Sequence, residues 1–234
     1  MTAKEVLKRL EGFASHDPKD LAGMARFGIN VDKAWVISIP KLRKLAKDLK
    51  RELDPGLCHN LALEVYNSGI HEAKILAGFV DSPRLVTEDQ MEKWVCSFDS
   101  WDVVDMVCNN LFDRTEFAVK KAKEWSKREE EFVKRAGFVL MAGLSVHDKK
   151  MEDEIFESFL KIIEREAWDE RNFVRKAISW ALRQIGKSRN VNLYQKSLKL
   201  SKKLYESENK SERWVGSDAY RELTKEYITK RFGK

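Results

Sequence analysis

The chain of 234 residues carries 44 Lys/Arg against 38 Asp/Glu, is 43% hydrophobic, and contains only 4 Pro and 11 Gly. No apolar run approaches the roughly 18 to 20 residues that span a bilayer, and no Ser/Gly/Pro-rich tract or long like-charge block is present, which argues against a membrane span, a disordered tail and a flexible linker. The composition therefore predicts one continuous, soluble, cytoplasmic domain over residues 1–234, large enough to bury roughly 70% of its unfolded surface.

Local signals predict helices throughout. Met1-Thr2-Ala3-Lys4-Glu5 leads directly into an amphipathic pattern rather than a targeting h-region. Asp17-Pro18 places an Asp cap before a first-turn proline, and Pro40 opens Lys41-Leu42-Arg43-Lys44-Leu45-Ala46 in the same way. Asp54-Pro55-Gly56 and Asp81-Ser82-Pro83 are breaks between helices. Thr87-Glu88-Asp89-Gln90 has the form of a capping box ahead of Met91, Trp94 and Val95. No segment sustains period-two alternation, so no sheet is expected, and about a dozen antiparallel-paired helices should make up the fold. Cys58, Cys96 and Cys108 lack CxxC spacing and sit among apolar residues, which predicts buried free thiols.

Next comes Ser100-Trp101-Asp102-Val103-Val104-Asp105-Met106-Val107-Cys108-Asn109-Asn110. Val104, Val107, Cys108 and Leu111 form its apolar stripe, while Trp101, Asp105 and Asn109 follow at i, i+4 and i+8 on another row. An indole beside a carboxylate suits a cationic or electron-poor target, because the ring face and the negative charge attract the same group. The same spacing is equally that of a surface Asp beside a packed Trp.

Phe132-Val133-Lys134-Arg135-Ala136 and Phe173-Val174-Arg175-Lys176-Ala177 share one apolar-apolar-basic-basic-small pattern, 41 residues apart. That is a helical-repeat period, in which each helix pair buries its apolar face only by stacking on its neighbours. Within residues 172–187, Val174, Ala177, Ile178, Ala181, Leu182 and Ile185 form the buried stripe. Trp180 falls off it, in a row with Lys176, Arg183 and Lys187. An aromatic within a basic row fits nucleic-acid contact, and it also fits a Trp packed against the next repeat. From Arg183 onward there are 14 Lys/Arg against 6 Asp/Glu, so the C-terminal segment is more basic than the chain's net +6. Such a segment points to a polyanion, or to an ordinary solvated basic face.

Other chemistry finds little support. His16, His59, His71 and His147 show neither metal-ligand spacing nor a partner-carboxylate pattern, and the position four after His71 is Ile75, so His71-Glu72 is not a zincin motif. No Gly-rich phosphate loop, G-x-S-x-G elbow or motif-paired Cys and His is present. No metal or cofactor is expected.

The ordered set Gly28-Ile29, Ile39-Pro40-Lys41-Leu42-Arg43-Lys44-Leu45-Ala46-Lys47, His71-Glu72-Ala73, Trp94, Trp101-Asp102-Val103-Val104-Asp105, Lys134-Arg135-Ala136 and Arg175-Lys176-Ala177-Ile178-Ser179-Trp180-Ala181-Leu182-Arg183 resembles the AlkD-type DNA alkylation repair family over about residues 20 to 225. The resemblance implies an all-α solenoid of HEAT-like repeats with a concave basic face. It also implies a monofunctional DNA glycosylase that hydrolyses the N-glycosidic bond of N3- and N7-alkylated purines in duplex DNA; a monomer is expected. By motif position it assigns the catalytic carboxylate to Asp105, the sugar-facing tryptophans to Trp101 and Trp180, and the functional arginine to Arg135. Lys176, Arg183 and Lys187 are then candidate phosphate contacts. A non-catalytic helical-repeat module binding nucleic acid or protein is the competing class, since fold alone does not decide function.

Overall fold

A computed structural model of the chain describes residues 1–15 and 17–232, so His16 lies outside the described residues. The described residues contain fourteen α-helices, one short 3-10 turn and no strand. They divide into two compact units, Met1–Glu116 and Phe117–Lys234, although the sequence between them has no linker composition.

The first unit comprises α1 (Ala3–Glu11), α2 (Pro18–Arg26), α3 (Ile39–Glu52), α4 (Pro55–Tyr66), α5 (His71–Val80), α6 (Glu88–Val95), α7 (Trp101–Asn110) and the 3-10 turn Phe112–Arg114. Helix starts follow the local signals. Asp17 and Asp54 accept hydrogen bonds from the N–H groups of Lys19 and Leu57, each at 2.9 Å, and thereby satisfy orphan donors at the starts of α2 and α4. Thr87 caps α6 through Gln90 N at 3.1 Å, but the expected box is only half made, because the Gln90 amide turns to Asp81 Oδ2 at 2.6 Å. Helix α5 is buried along its whole length and packs against α3, α4 and α7. A Cβ at Gly78 would stand 3.2 Å from Val107 Cα, a tight approach that this small residue allows between α5 and α7.

The second unit comprises α8 (Ala118–Trp125), α9 (Glu131–His147), α10 (Asp153–Glu166), α11 (Asn172–Ser188), α12 (Val191–Tyr205), α13 (Lys210–Leu223) and α14 (Glu226–Phe232). The predicted stripe of α11 is fully buried, each of its six residues being 0% exposed, and it packs between α9 and α13. Gly137 permits α9 to touch the end of α8, since a Cβ there would fall 2.5 Å from Ser126 N, inside any real contact. The 41-residue period reappears as physical contact. The repeated Phe132 and Phe173 rings lie 5.8 Å apart, and the Arg175 guanidinium sits 4.8 Å over Trp214, a further 41 residues along the chain.

The cysteine expectation needs correcting at one position. Cys58 and Cys108 are buried free thiols, whereas Cys96 is exposed at the end of α6, where the apolar stripe has turned away from it. Among the described residues, no helix is long and apolar enough to cross a membrane, and no cluster of His, Cys, Asp and Glu could hold a metal ion.

Candidate active site

Helix α7 carries the first two candidate residues. Trp101 opens the helix and Asp105 lies one turn further on, with Asn109 a turn beyond donating its amide to the Asp105 carbonyl at 2.9 Å. Val104, Val107, Cys108 and Leu111 are all 0% exposed, as the stripe predicts. Asp105 is 8% exposed and so sits at the border of that stripe rather than on the solvated face.

Trp101 is anchored by its polar edge. Its indole Nε1–H donates to the Phe27 carbonyl at 3.0 Å, at the end of α2. Gly28, with φ +72°, turns the chain immediately after Phe27, a left-handed conformation that favours glycine. The segment then runs to α3 through Val36, a β-branched residue at φ +54°, where an L side chain is strained. Buried Glu72 holds this strained stretch, accepting the N–H of Trp35 at 2.8 Å and that of Ile37 at 3.2 Å. One carboxylate on α5 thus fixes the segment that leads away from the Trp101 anchor.

A half-buried carboxylate, Asp102, fixes the start of α7. His71 Nε2 and Asp102 Oδ2 are 2.8 Å apart, and Ser100 Oγ donates to Asp102 Oδ1 at 2.6 Å while accepting the Asn30 N–H at 3.3 Å. Burial works against both charges, but the mutual hydrogen bond and opposite charges prevail. The His71 imidazole is raised above its ordinary range and the Asp102 carboxyl is held below its own. His59 likewise meets Asp81 Oδ1 at 2.7 Å. The sequence reading, which found no partner carboxylates for the histidines, is corrected here. Those partners stand 31 and 22 residues away, and only the packing of α5 on α7 and the return of the chain after α5 bring them in.

In the second unit the candidate residues have different surroundings. Arg135, expected as the functional arginine, is 5% exposed and donates from Nη1 to the Phe173 carbonyl at 2.6 Å, which places its guanidinium against the start of α11. Its neighbour Lys134 is buried too, between Glu166 at 2.8 Å and Asp169 at 2.9 Å, with its ammonium 4.9 Å over the Trp168 ring. Trp180 is half-buried on α11 and Lys176 is exposed. Arg183 and Lys187 are in ion pairs with α13, through Asp218 at 3.4 Å and Glu222 at 3.2 Å. The predicted row therefore divides into an exposed lysine and two cations already neutralised by the next repeat.

The all-helical architecture of the described residues and the contacts repeating at about 41 residues define a helical-repeat protein, with the Asp102 carboxylate fixing the start of α7. The sequence matches the family model of DNA alkylation repair enzymes over residues 7–223, and the chain belongs to that family. Comparison with curated proteins gave no significant match. Among solved structures, the chain is similar to a member of a family related to the HEAT-like repeat DNA glycosylases with affinity for branched DNA structures. The TM-score is 0.75 at 18% identity, covering 94% of this chain and 95% of the other. The fold is thus HEAT-like, as the sequence resemblance implied.

Proposed function

We propose that this chain is a monofunctional DNA glycosylase that releases N3- and N7-alkylated purines from duplex DNA, with Asp105 as its catalytic carboxylate. The observation that carries the reading is the pairing on α7 of an anchored indole, Trp101, with a carboxylate one turn away, inside the segment matched to DNA alkylation repair enzymes. Alkylation at N3 or N7 makes the purine cationic, so the C1′–N bond can break with its electron pair leaving on the base and no strong acid is needed. The deoxyribose is left with oxocarbenium character. Asp105 stabilises that charge, worth about 4 kcal/mol for a unit pair at ~4 Å and an effective dielectric near 20. Water then bonds to C1′ and loses its proton to Asp105 or solvent, giving free base and an abasic site. The Trp101 ring packs on the sugar. Lys176 contacts the DNA backbone. Arg135 acts by holding Phe173 and the start of α11 in place.

A second reading, binding of DNA without base release, draws on two observations: Arg183 and Lys187 are already paired with α13, and the similar solved structure is described by affinity for branched DNA. Incubation with a duplex carrying N7-methylguanine, followed by detection of free base and abasic sites, separates the two. Base release supports the glycosylase; tight binding with no release supports the binding module.

A further inference from the structure

A cleft of about 500 Å³ in the first unit is lined by Arg43, Lys47, Lys50 and Arg51 of α3, by Phe79 and Asn110, and by Arg114 of the 3-10 turn. Five of these side chains are cations and none is a carboxylate. The four from α3 fall at i, i+4, i+7 and i+8, which is a single helical stripe. Helix-dipole compensation accounts for Lys50 and Arg51 in the last turn of α3, but not for Arg43 and Lys47, which lie earlier in the helix. The nearest acidic partners are distant ones, with Asp48 3.9 Å from Arg51 and Asp113 3.9 Å from Arg114. No ion pair holds Arg43, Lys47 or Lys50 among the described residues. Asp81, whose charge also reaches Lys50, is engaged by His59, the Ser82 N–H and the Gln90 amide.

The cleft is also shaped. The Arg43 guanidinium stacks 4.6 Å over the buried Phe79 ring, which fixes a planar cation at its wall. Burial pushes the Lys50 ammonium down and the charge of Arg114 adds to it, which Cys58 and Asp81 offset only in part, while no carboxylate lines the cleft itself. A monomeric protein gains nothing by maintaining such crowding, and an anion with several charged oxygens removes it.

We infer that this cleft is a second nucleic-acid contact, holding the phosphodiester backbone at a distance from the Trp101–Asp105 pair. The inference rests on the DNA-binding reading proposed above. Asn110 of the cleft and Trp101 stand at opposite ends of α7, nine residues or roughly 14 Å apart along the helix axis. At about 3.4 Å per nucleotide, that separation spans roughly four base pairs. The backbone comes either from the flank of the duplex engaged at Trp101 or from a second arm of a branched DNA, and both present the same diester phosphates.

The test measures binding of the full chain to a linear duplex and to a four-way junction between about 50 and 200 mM salt, over which backbone contacts change affinity steeply. The variant Arg43→Gln/Lys47→Gln/Arg114→Gln is compared with Lys4→Gln/Lys8→Gln/Lys199→Gln, which loses the same charge from exposed positions outside the cleft, and thermal melts confirm that both fold. The cleft variant should lose about tenfold or more in affinity near ~150 mM salt and about 3 from the slope of log K against log salt. The control should lose much less. Loss on both DNAs assigns the cleft to the flank of one duplex, and loss on the junction alone assigns it to a second arm. A cleft variant that tracks the control on both DNAs overturns the inference while leaving DNA binding intact. If the parent protein binds neither DNA, the functional reading fails and the cleft assignment fails with it.

Discussion

The indole N–H of Trp101 donates to the main-chain carbonyl of Phe27 at 3.0 Å, across 74 residues of sequence. This bond fixes the ring's polar edge against the end of α2 and leaves its faces to be set by packing. Trp101→Phe removes the donor and keeps an aromatic face. Because the Phe27 side is solvent-accessible, its carbonyl can be hydrated, and the loss of stability should stay near 1 kcal/mol. If the ring orients the sugar, base release should fall by roughly tenfold, and further in Trp101→Ala. Urea melts and single-turnover kinetics on the same preparations separate the two effects. Equal rates in all three proteins would remove Trp101 from the site.

His71 offers a test of the network behind α7. Its folded pKa is raised, chiefly against burial, by the bond to Asp102. The stability it contributes is therefore fully present below its unfolded value of about 6.5 and is lost as pH rises through the higher folded value. In Asp102→Asn the opposing burial remains and the main support is gone, leaving only the charges of Glu72 and Asp99, so the His71 titration should move down. Histidine resonances followed by NMR against pH report this directly. A His71 that titrates identically in both proteins would show that the pair is not ionised.

The basic row of α11 should respond unevenly to substitution. Lys176 is exposed, so Lys176→Gln should lower the salt slope of DNA binding by about 1. Arg183 and Lys187 are held by Asp218 and Glu222, and their Gln variants should change the slope by less than half as much. Three equal changes would mean that the pairs open when DNA binds.

Acid stability should depend on Asp169. Despite burial, which opposes the charge, its hydrogen bonds from Arg171 and Lys134 hold its pKa down at about 2. A depressed carboxylate stabilises the fold above its unfolded pKa and loses that contribution as pH falls toward the folded value. The window is thus roughly pH 4 to 2, with about 2 kcal/mol at stake. Asp169→Asn should be less stable at pH 7 and show a shallower decline through that window in denaturant melts. Parallel pH profiles for the two proteins would contradict the assignment.

What the sequence made legible was local or periodic. Asp17-Pro18 and Asp54-Pro55 mark helix starts because the cap and the proline act within one turn, and the α11 stripe is visible because burial follows the helical period. The 41-residue period identified the repeat because equivalent residues really do touch, as Phe132 and Phe173 do. Partners supplied by the next helix were not legible. Nothing near His71 announces Asp102, nothing near Trp35 announces Glu72, and the carboxylates that neutralise Arg183 and Lys187 lie 35 residues on in each case. The burial of Arg135 was not legible for the same reason, since the carbonyl that receives it belongs to the following repeat.

The central claim is that the Asp105 carboxylate stabilises charge on the sugar as the base leaves. Asp105→Asn keeps the shape of the side chain and removes its charge, so base release from N7-methylguanine duplex under single-turnover conditions should fall by roughly 10²-fold, an electrostatic loss of ~3 kcal/mol. Affinity for the duplex should persist. Release at the parent rate by a folded Asp105→Asn protein would contradict the account.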